Sequence, residues 1–192
     1  DEFYKFVEKN QKIIESAIDY QRDYDIDFFG YRTLEKGYLI KVGGKNVERP
    51  QDMFMRMAIH IHMDVNNYSD EDRLADIIET YDLVSTKHFI HATPTLFNSG
   101  TTSPALASCF LLGTEDSLKG ILKTATDCAT ISKLAGGIGV HVSEWRSEGS
   151  LIRSTNGTSS GIVPFLRIFN DVARAFNQGG KRMGSFAVYL EM

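Results

Sequence analysis

The sequence predicts an α/β protein in which a mostly helical region, residues 1–90, precedes a βαβαβ unit over 91–192. Three observations predict it. Ser108-Cys109-Phe110-Leu111-Leu112 is a short apolar run bounded by turn formers, the pattern of a buried parallel strand. From Leu118 the apolar positions Ile121, Leu122, Ala125, Ala129 and Leu134 recur about every three to four residues, which gives a helix one apolar face to lay on a sheet. Gly136-Gly137 stops that helix and Ile138 to Val142 resumes as strand, so the crossover implies a right-handed parallel pair. Sites in such units lie at the carboxyl ends of strands, here near 112–117 and 142–146.

Taken in order, residues 3–20 carry Phe3, Phe6, Val7, Ile13, Ile14 and Ala17 among charges, which predicts an amphipathic helix. A charged break over 22–27 leads to an irregular aromatic segment at Phe28-Phe29-Gly30-Tyr31. Tyr38 to Val42 with Gly43-Gly44-Lys45-Asn46 predicts a small hairpin. Pro50 suits the first turn of a helix running to Met63, and Ser69 with Asp70, Glu71 and Asp72 caps a further helix reaching about Lys87. Residues 91–100, dense in hydroxyls and turn formers, predict a loop held by a scaffold. After the strand-helix-strand unit, 144–161 is polar with glycine hinges. A second amphipathic helix opens at Ile162-Val163-Pro164 and runs to about Phe176; the glycine-rich loop 178–184 follows, and Ser185 to Leu190 is the next buried strand.

Composition narrows the function. The chain has 192 residues, 42% hydrophobic and 24% charged, with a net charge of -4, so it lacks the basic surplus that a nucleic-acid duplex attracts. Two cysteines at unrelated spacing make neither a disulfide framework nor a zinc site, and a reducing, cytoplasmic setting is the expectation. No signal pattern and no run of about 18 apolar residues occurs, so no membrane is expected as partner.

The glycine clusters invite two familiar readings, and both fail. Gly136-Gly137-Ile138-Gly139 follows a helix and opens a strand, the reverse of a dinucleotide-binding turn. Gly180-Lys181-Arg182 has Arg182 where a phosphate loop needs Ser or Thr. His60 and His62, two apart on a helix, point away from each other and cannot share a metal. Cys128 falls near the apolar helical face, where a thiol is inert, and composition alone favours the same inert role for Cys109.

Four stretches together carry a resemblance: His91-Ala92-Thr93-Pro94-Thr95-Leu96-Phe97-Asn98, Ser108 to Leu112, Ile131 to Val140, and Gln178-Gly179-Gly180-Lys181-Arg182. The combination resembles the catalytic large subunit of class I ribonucleotide reductase over about residues 20–191, with the motifs in the family's order. The resemblance implies a ten-stranded α/β barrel preceded by a helical domain, of which this chain supplies the helical domain and the first strands. It implies further that an ATP-sensing cone would precede Asp1, and that the radical cysteine and the second reductive cysteine would lie beyond Met192. Such a segment is incomplete alone.

The implied reaction is reduction of ribonucleoside diphosphates to 2′-deoxyribonucleotides by thiyl-radical chemistry, an allosterically controlled step of DNA precursor synthesis. Cys109 matches the first cysteine of the redox pair. Thr93, Ser108 and Gly137 match contacts to the substrate sugar and phosphates, and Gln178 and Arg182 match a base-reading loop, with Lys181 as the alternative under a one-residue shift. A deoxynucleoside triphosphate or ATP effector, carried with Mg2+, is expected at Asp116, Ser117, Lys133, Arg146 and Ile152. Asp116 and Ser117 place a carboxylate beside free helix amides, and Arg146 emerges from the next strand end. The implied partners are a metal-containing, radical-generating small (beta) subunit, the remainder of the large subunit, a second copy through helices 117–134 and 162–176, and thioredoxin or glutaredoxin as reductant; no covalent cofactor and no metal ligand set is expected in this chain. A cobalamin-dependent class II reductase and a non-catalytic nucleotide-binding module are the rival readings.

Overall fold

A computed structural model describes residues 2–63, 68–102, 105–134, 136–176 and 185–191. The chain divides into two compact units, Asp1–Leu106 and Ala107–Met192. Residues 91–106, expected with the strands, belong to the first.

The first unit contains α1 (Glu2–Ala17), a 3-10 turn (Tyr20–Asp25), α2 (Phe28–Gly37), the hairpin β1 (Lys41–Val42) and β2 (Lys45–Asn46), α3 (Pro50–Met63), α4 (Asp70–Ser85) and α5 (Thr93–Asn98). Methionines and aliphatics of α3 form its centre: Met53, Met57, Ala58 and Ile59 pack with Leu74, Ile77, Tyr81 and Val84 of α4 and with Leu96 of α5. Tyr81 is buried, so its hydroxyl needs partners; it donates to Gln51 Oε1 at 3.0 Å and accepts from the Asp19 amide at 2.9 Å. The hairpin turns at Gly43 and Gly44, whose φ values of 57° and 78° suit glycine at both central positions.

Two segments differ from expectation. Residues 28–37, read as irregular, are helical because Asp27 caps them, its carboxylate accepting from the Gly30 amide at 2.6 Å. Residues 93–98, read as loop, form a short helix with Pro94 in its first turn, where the missing N–H costs nothing.

The second unit contains β3 (Cys109–Gly113), α6 (Leu118–Lys133), β4 (Gly137–His141), the small antiparallel pair β5 (Leu151–Ile152) and β6 (Gly157–Thr158), α7 (Val163–Ala175) and β7 (Phe186–Tyr189). The parallel strands lie in the order β3-β4-β7, with Cys109 opposite Gly137 and Ile138 opposite Phe186. One face is covered: Ile138 and Val140 pack with Ile121, Ala125 and Cys128 of α6, Phe169 of α7 and Trp145. The other face, carrying Cys109, Leu111, Ala187 and Tyr189, is open; Leu111 is 82% exposed. β3 and β7, predicted as buried, have no fully buried residue: positions facing the helices, such as Phe110, Leu112 and Phe186, are half-buried and the rest are exposed, because both helices lie on the same face. No closed barrel forms among the described residues. Among them, no helix is long and apolar enough to cross a membrane.

Candidate functional site

The two ends of the parallel sheet carry different chemistry. At the carboxyl end, β3 runs into Asp116 and Ser117, and Ser117 caps α6 by accepting from the Gly120 amide at 3.0 Å. Glycine is required at 120, since a Cβ there would lie 2.9 Å from Glu115 Cβ and 3.0 Å from Ser117 Oγ. The buried hydroxyls of Thr114 and Thr124, 3.0 Å apart, tie the strand end to the helix. From the end of β4 the chain continues to Trp145 and Arg146. Arg146 Nε donates to Asp116 Oδ2 at 2.6 Å, closing a bridge between the two strand ends.

That bridge borders an open cleft of about 830 Å³, lined by Asp116, Ser117, Ile121, Trp145, Arg146 and Ile152 among others. Its parts suit a nucleotide by elementary chemistry. The first turn of α6 presents free amides and the positive end of a helix dipole, and Arg146 adds a planar guanidinium, both favourable to phosphate. Asp116 is an acceptor for a ribose hydroxyl, and Ile121 and Ile152 give apolar wall for a base. Asp116 is engaged by Arg146 and is the only carboxylate among the described residues lining the cleft, so those residues offer no cage for Mg2+. The indole N–H of Trp145, in the cleft wall, is buried without a partner among the described residues. Sequence reading passed over Trp145, although the chain's sole tryptophan directly preceding Arg146 was a usable signal.

Four of the five residues grouped for the effector thus meet at one cleft. Lys133 does not: it is exposed on the last turn of the 16-residue helix α6, about 22 Å from Leu118 at about 1.5 Å per residue.

The amino end of the sheet gathers the other group. Gly137 N donates to Ser108 O at 2.7 Å, and Ile138 N donates to Ser185 O at 2.8 Å, so Ser108, Cys109, Gly137 and Ser185 share one edge. This is the end opposite to the one the strand-end rule favours. Cys109 is exposed on the open face, with its Sγ 3.6 Å from Ser108 Oγ. Gly137 keeps that edge open, because a Cβ would lie 3.1 Å from Ser185 Oγ and 3.3 Å from Ser108 O. Cys128 lies within the packed layer on the other face; burial, with a smaller contribution from Asp127, pushes its thiol up to about 11.

Thr93 lies in the first unit as the first residue of α5, half-buried, with Oγ1 3.0 Å from the Tyr38 hydroxyl. Gln178 and Arg182, with the alternative Lys181, lie outside the described residues.

Comparison with known proteins places both units. Residues 24–104 match the family description "Ribonucleotide reductase, all-alpha domain", and residues 107–192 match "Ribonucleotide reductase, barrel domain". The ribonucleoside-diphosphate reductase large subunit of Dictyostelium discoideum is 56% identical over 192 residues, covering 99% of this chain and 21% of that protein. That of Arabidopsis thaliana is 52% identical over 193 residues, covering 100% and 23%. Large chain 2 of Saccharomyces cerevisiae is 47% identical over 193 residues, covering 100% and 21%. The chain spans less than a quarter of the length of these relatives. With helical and parallel-strand units in the family's order, the chain belongs to the ribonucleotide reductase large-subunit family.

Proposed function

We propose that this chain is the part of a ribonucleoside-diphosphate reductase large subunit that contributes one reductive cysteine, part of the substrate cradle and an effector cleft. The observation that carries the reading is the sheet's amino edge, where the exposed thiol of Cys109 stands beside the Ser108 hydroxyl and the unobstructed backbone of Gly137. A thiol that is to donate electrons needs access, and small donors around it can hold a sugar without filling the space. In the reaction, a cysteine radical from the remainder of the subunit takes the 3′ hydrogen and the 2′ hydroxyl leaves as water. Cys109 and a cysteine outside this chain give two electrons and two protons to the reaction and form a disulfide, and the radical cysteine returns the 3′ hydrogen to the sugar and is regenerated. A small (beta) subunit supplies the radical, and a thioredoxin or glutaredoxin restores the thiols. Thr93, Ser108 and Gly137 hold the sugar and phosphates. Gln178 and Arg182 read the base.

The effector reading takes Asp116, Ser117, Arg146 and Ile152 from one chain. Lys133, too distant from its own cleft, serves the cleft of a second copy in a dimer built on α6 and α7. The exposed apolar residues Leu118 and Leu122 of α6 and Val163 and Ile168 of α7 support such a contact. The test is multiple-turnover reduction of CDP by the intact subunit with its radical-generating partner. Cys109→Ser should lose activity while Cys128→Ser keeps it. Equal activity in both variants would contradict the reading.

A further inference from the structure

We infer that Tyr38 is a positioning residue for substrate binding: its hydroxyl orients that of Thr93, so that the threonine proton is presented to a phosphate or sugar oxygen. The inference rests on the reading of Thr93 as a substrate contact and adds the group that aims it. The two hydroxyls are 3.0 Å apart, and either could donate. An ionised phosphate oxygen only accepts, so a productive arrangement has the tyrosine donating to Thr93 Oγ1 and the threonine donating outward. A threonine hydroxyl without a fixed partner spreads over several rotor positions, and each costs part of the affinity when a ligand selects one.

The surroundings hold Tyr38 in that role. Its amide closes α2 on Leu34 O at 2.9 Å, its ring meets Phe97 of α5 edge-on with centroids 6.2 Å apart, and the next residue, Leu39, is buried. The far end of α5 is held from the same stretch of chain. Glu48 accepts from the Ile40 amide at 2.7 Å and pairs with Arg56 at 2.8 Å, and Arg56 donates to the carbonyl of Ser99. Tyr38 thus touches α5 directly, while Glu48 braces Arg56 of α3, which holds the carbonyl of Ser99 just past the end of α5. The phenolic oxygen of Tyr38 meets Thr93 Oγ1, and its ring meets Phe97. Tyr38→Phe therefore separates orientation from packing.

The test uses the intact large subunit with its radical-generating partner and CDP as the probe, comparing Tyr38→Phe, Thr93→Val and the double variant. Loss of one net hydrogen bond corresponds to about a 3- to 10-fold change. Tyr38→Phe should raise KM by that factor with kcat within about twofold, since a contact shared by ground and transition states moves KM alone. Thr93→Val should raise KM at least as much, and the double variant should be no worse than Thr93→Val. A merely structural tyrosine would instead weaken both backgrounds alike, so multiplied effects would overturn the inference. An unchanged KM in Tyr38→Phe beside a raised KM in Thr93→Val would overturn it while leaving Thr93's role intact. An unchanged KM in Thr93→Val would overturn both.

Discussion

Replacing Asp116 by alanine removes the only carboxylate among the described residues lining the cleft at the carboxyl end of β3 and β4, and the consequences for binding and for stability separate cleanly. The Asp116–Arg146 pair is partly exposed, with side chains 28% and 37% accessible, so its loss should cost folding only about 0–1 kcal/mol. A hydrogen bond from a ribose hydroxyl to a carboxylate contributes about 1.5–3 kcal/mol, which is a loss of about 10- to 150-fold in dTTP affinity. Arg146→Ala should fall in the same range, read by calorimetry on the intact subunit. Lys133→Ala sharpens the test, because that residue lies about 18 Å along α6 from Ile121, the cleft-lining residue of the helix nearest to it in sequence. If the second copy supplies it, a mixed dimer of one Asp116→Ala and one Lys133→Ala subunit has one cleft lacking both groups and one cleft complete. Half of the sites should then bind dTTP with unaltered affinity. Mixed dimers with no tight site, or single variants with unchanged affinity, would refute the reasoning.

Four further outcomes follow from the packing. Cys109 should alkylate readily at pH 8 while Cys128 stays protected in the folded chain. Because burial raises the Cys128 thiol to about 11, above its unfolded value of about 8.5, the stability it contributes is complete below that value and is lost as pH rises through about 11. Urea midpoints should accordingly fall less steeply over that window in Cys128→Ala than in the parent. Glu48→Ala should destabilise the subunit by about 3–5 kcal/mol in denaturant titration, since it strands Arg56, whose side chain is 10% accessible, without its counter-charge. Gly136→Ala should cost about 1–3 kcal/mol, because the added methyl would lie 2.7 Å from Ile131 and 2.8 Å from Phe110; Gly113→Ala, where nothing lies within 4 Å, is the contrast.

Much of this was legible in the residues, and the failures have physical causes. The period of Ile121, Leu122, Ala125, Ala129 and Leu134, the serine cap and the glycine stop are local signals, and α6 with its flanking strands followed from them, although the face that packs is Ile121, Ala125 and Cys128 and leaves Leu122 and Leu134 exposed. Residues 28–37 and 93–98 hid their helices because Phe28 to Tyr31 read as an irregular aromatic segment and residues 91–100, dense in hydroxyls and turn formers, as a loop. A single side chain, that of Asp27, and the tolerance of a first turn for proline reversed that reading. Burial was overestimated for β3 and β7 because an apolar run does not say how many faces are covered. At the site, Asp116, Ser117 and Arg146 could be grouped from strand ends alone. The displacement of Lys133 was available from helix length. The pairing of Cys109 with Gly137 and the contact of Tyr38 with Thr93, 55 residues apart, depend on register and tertiary packing, which no local pattern encodes.

The most direct test of the central claim is to map disulfides by mass spectrometry after one turnover of the intact subunit without external reductant. Cys109 lies exposed on the open face of the sheet and Cys128 within the layer packed on the other, so the two should not pair. The account predicts that Cys109 is recovered bonded to a cysteine beyond this chain, with Cys128 still a free thiol. A Cys109–Cys128 bond, or Cys109 recovered fully reduced after product has formed, would contradict it.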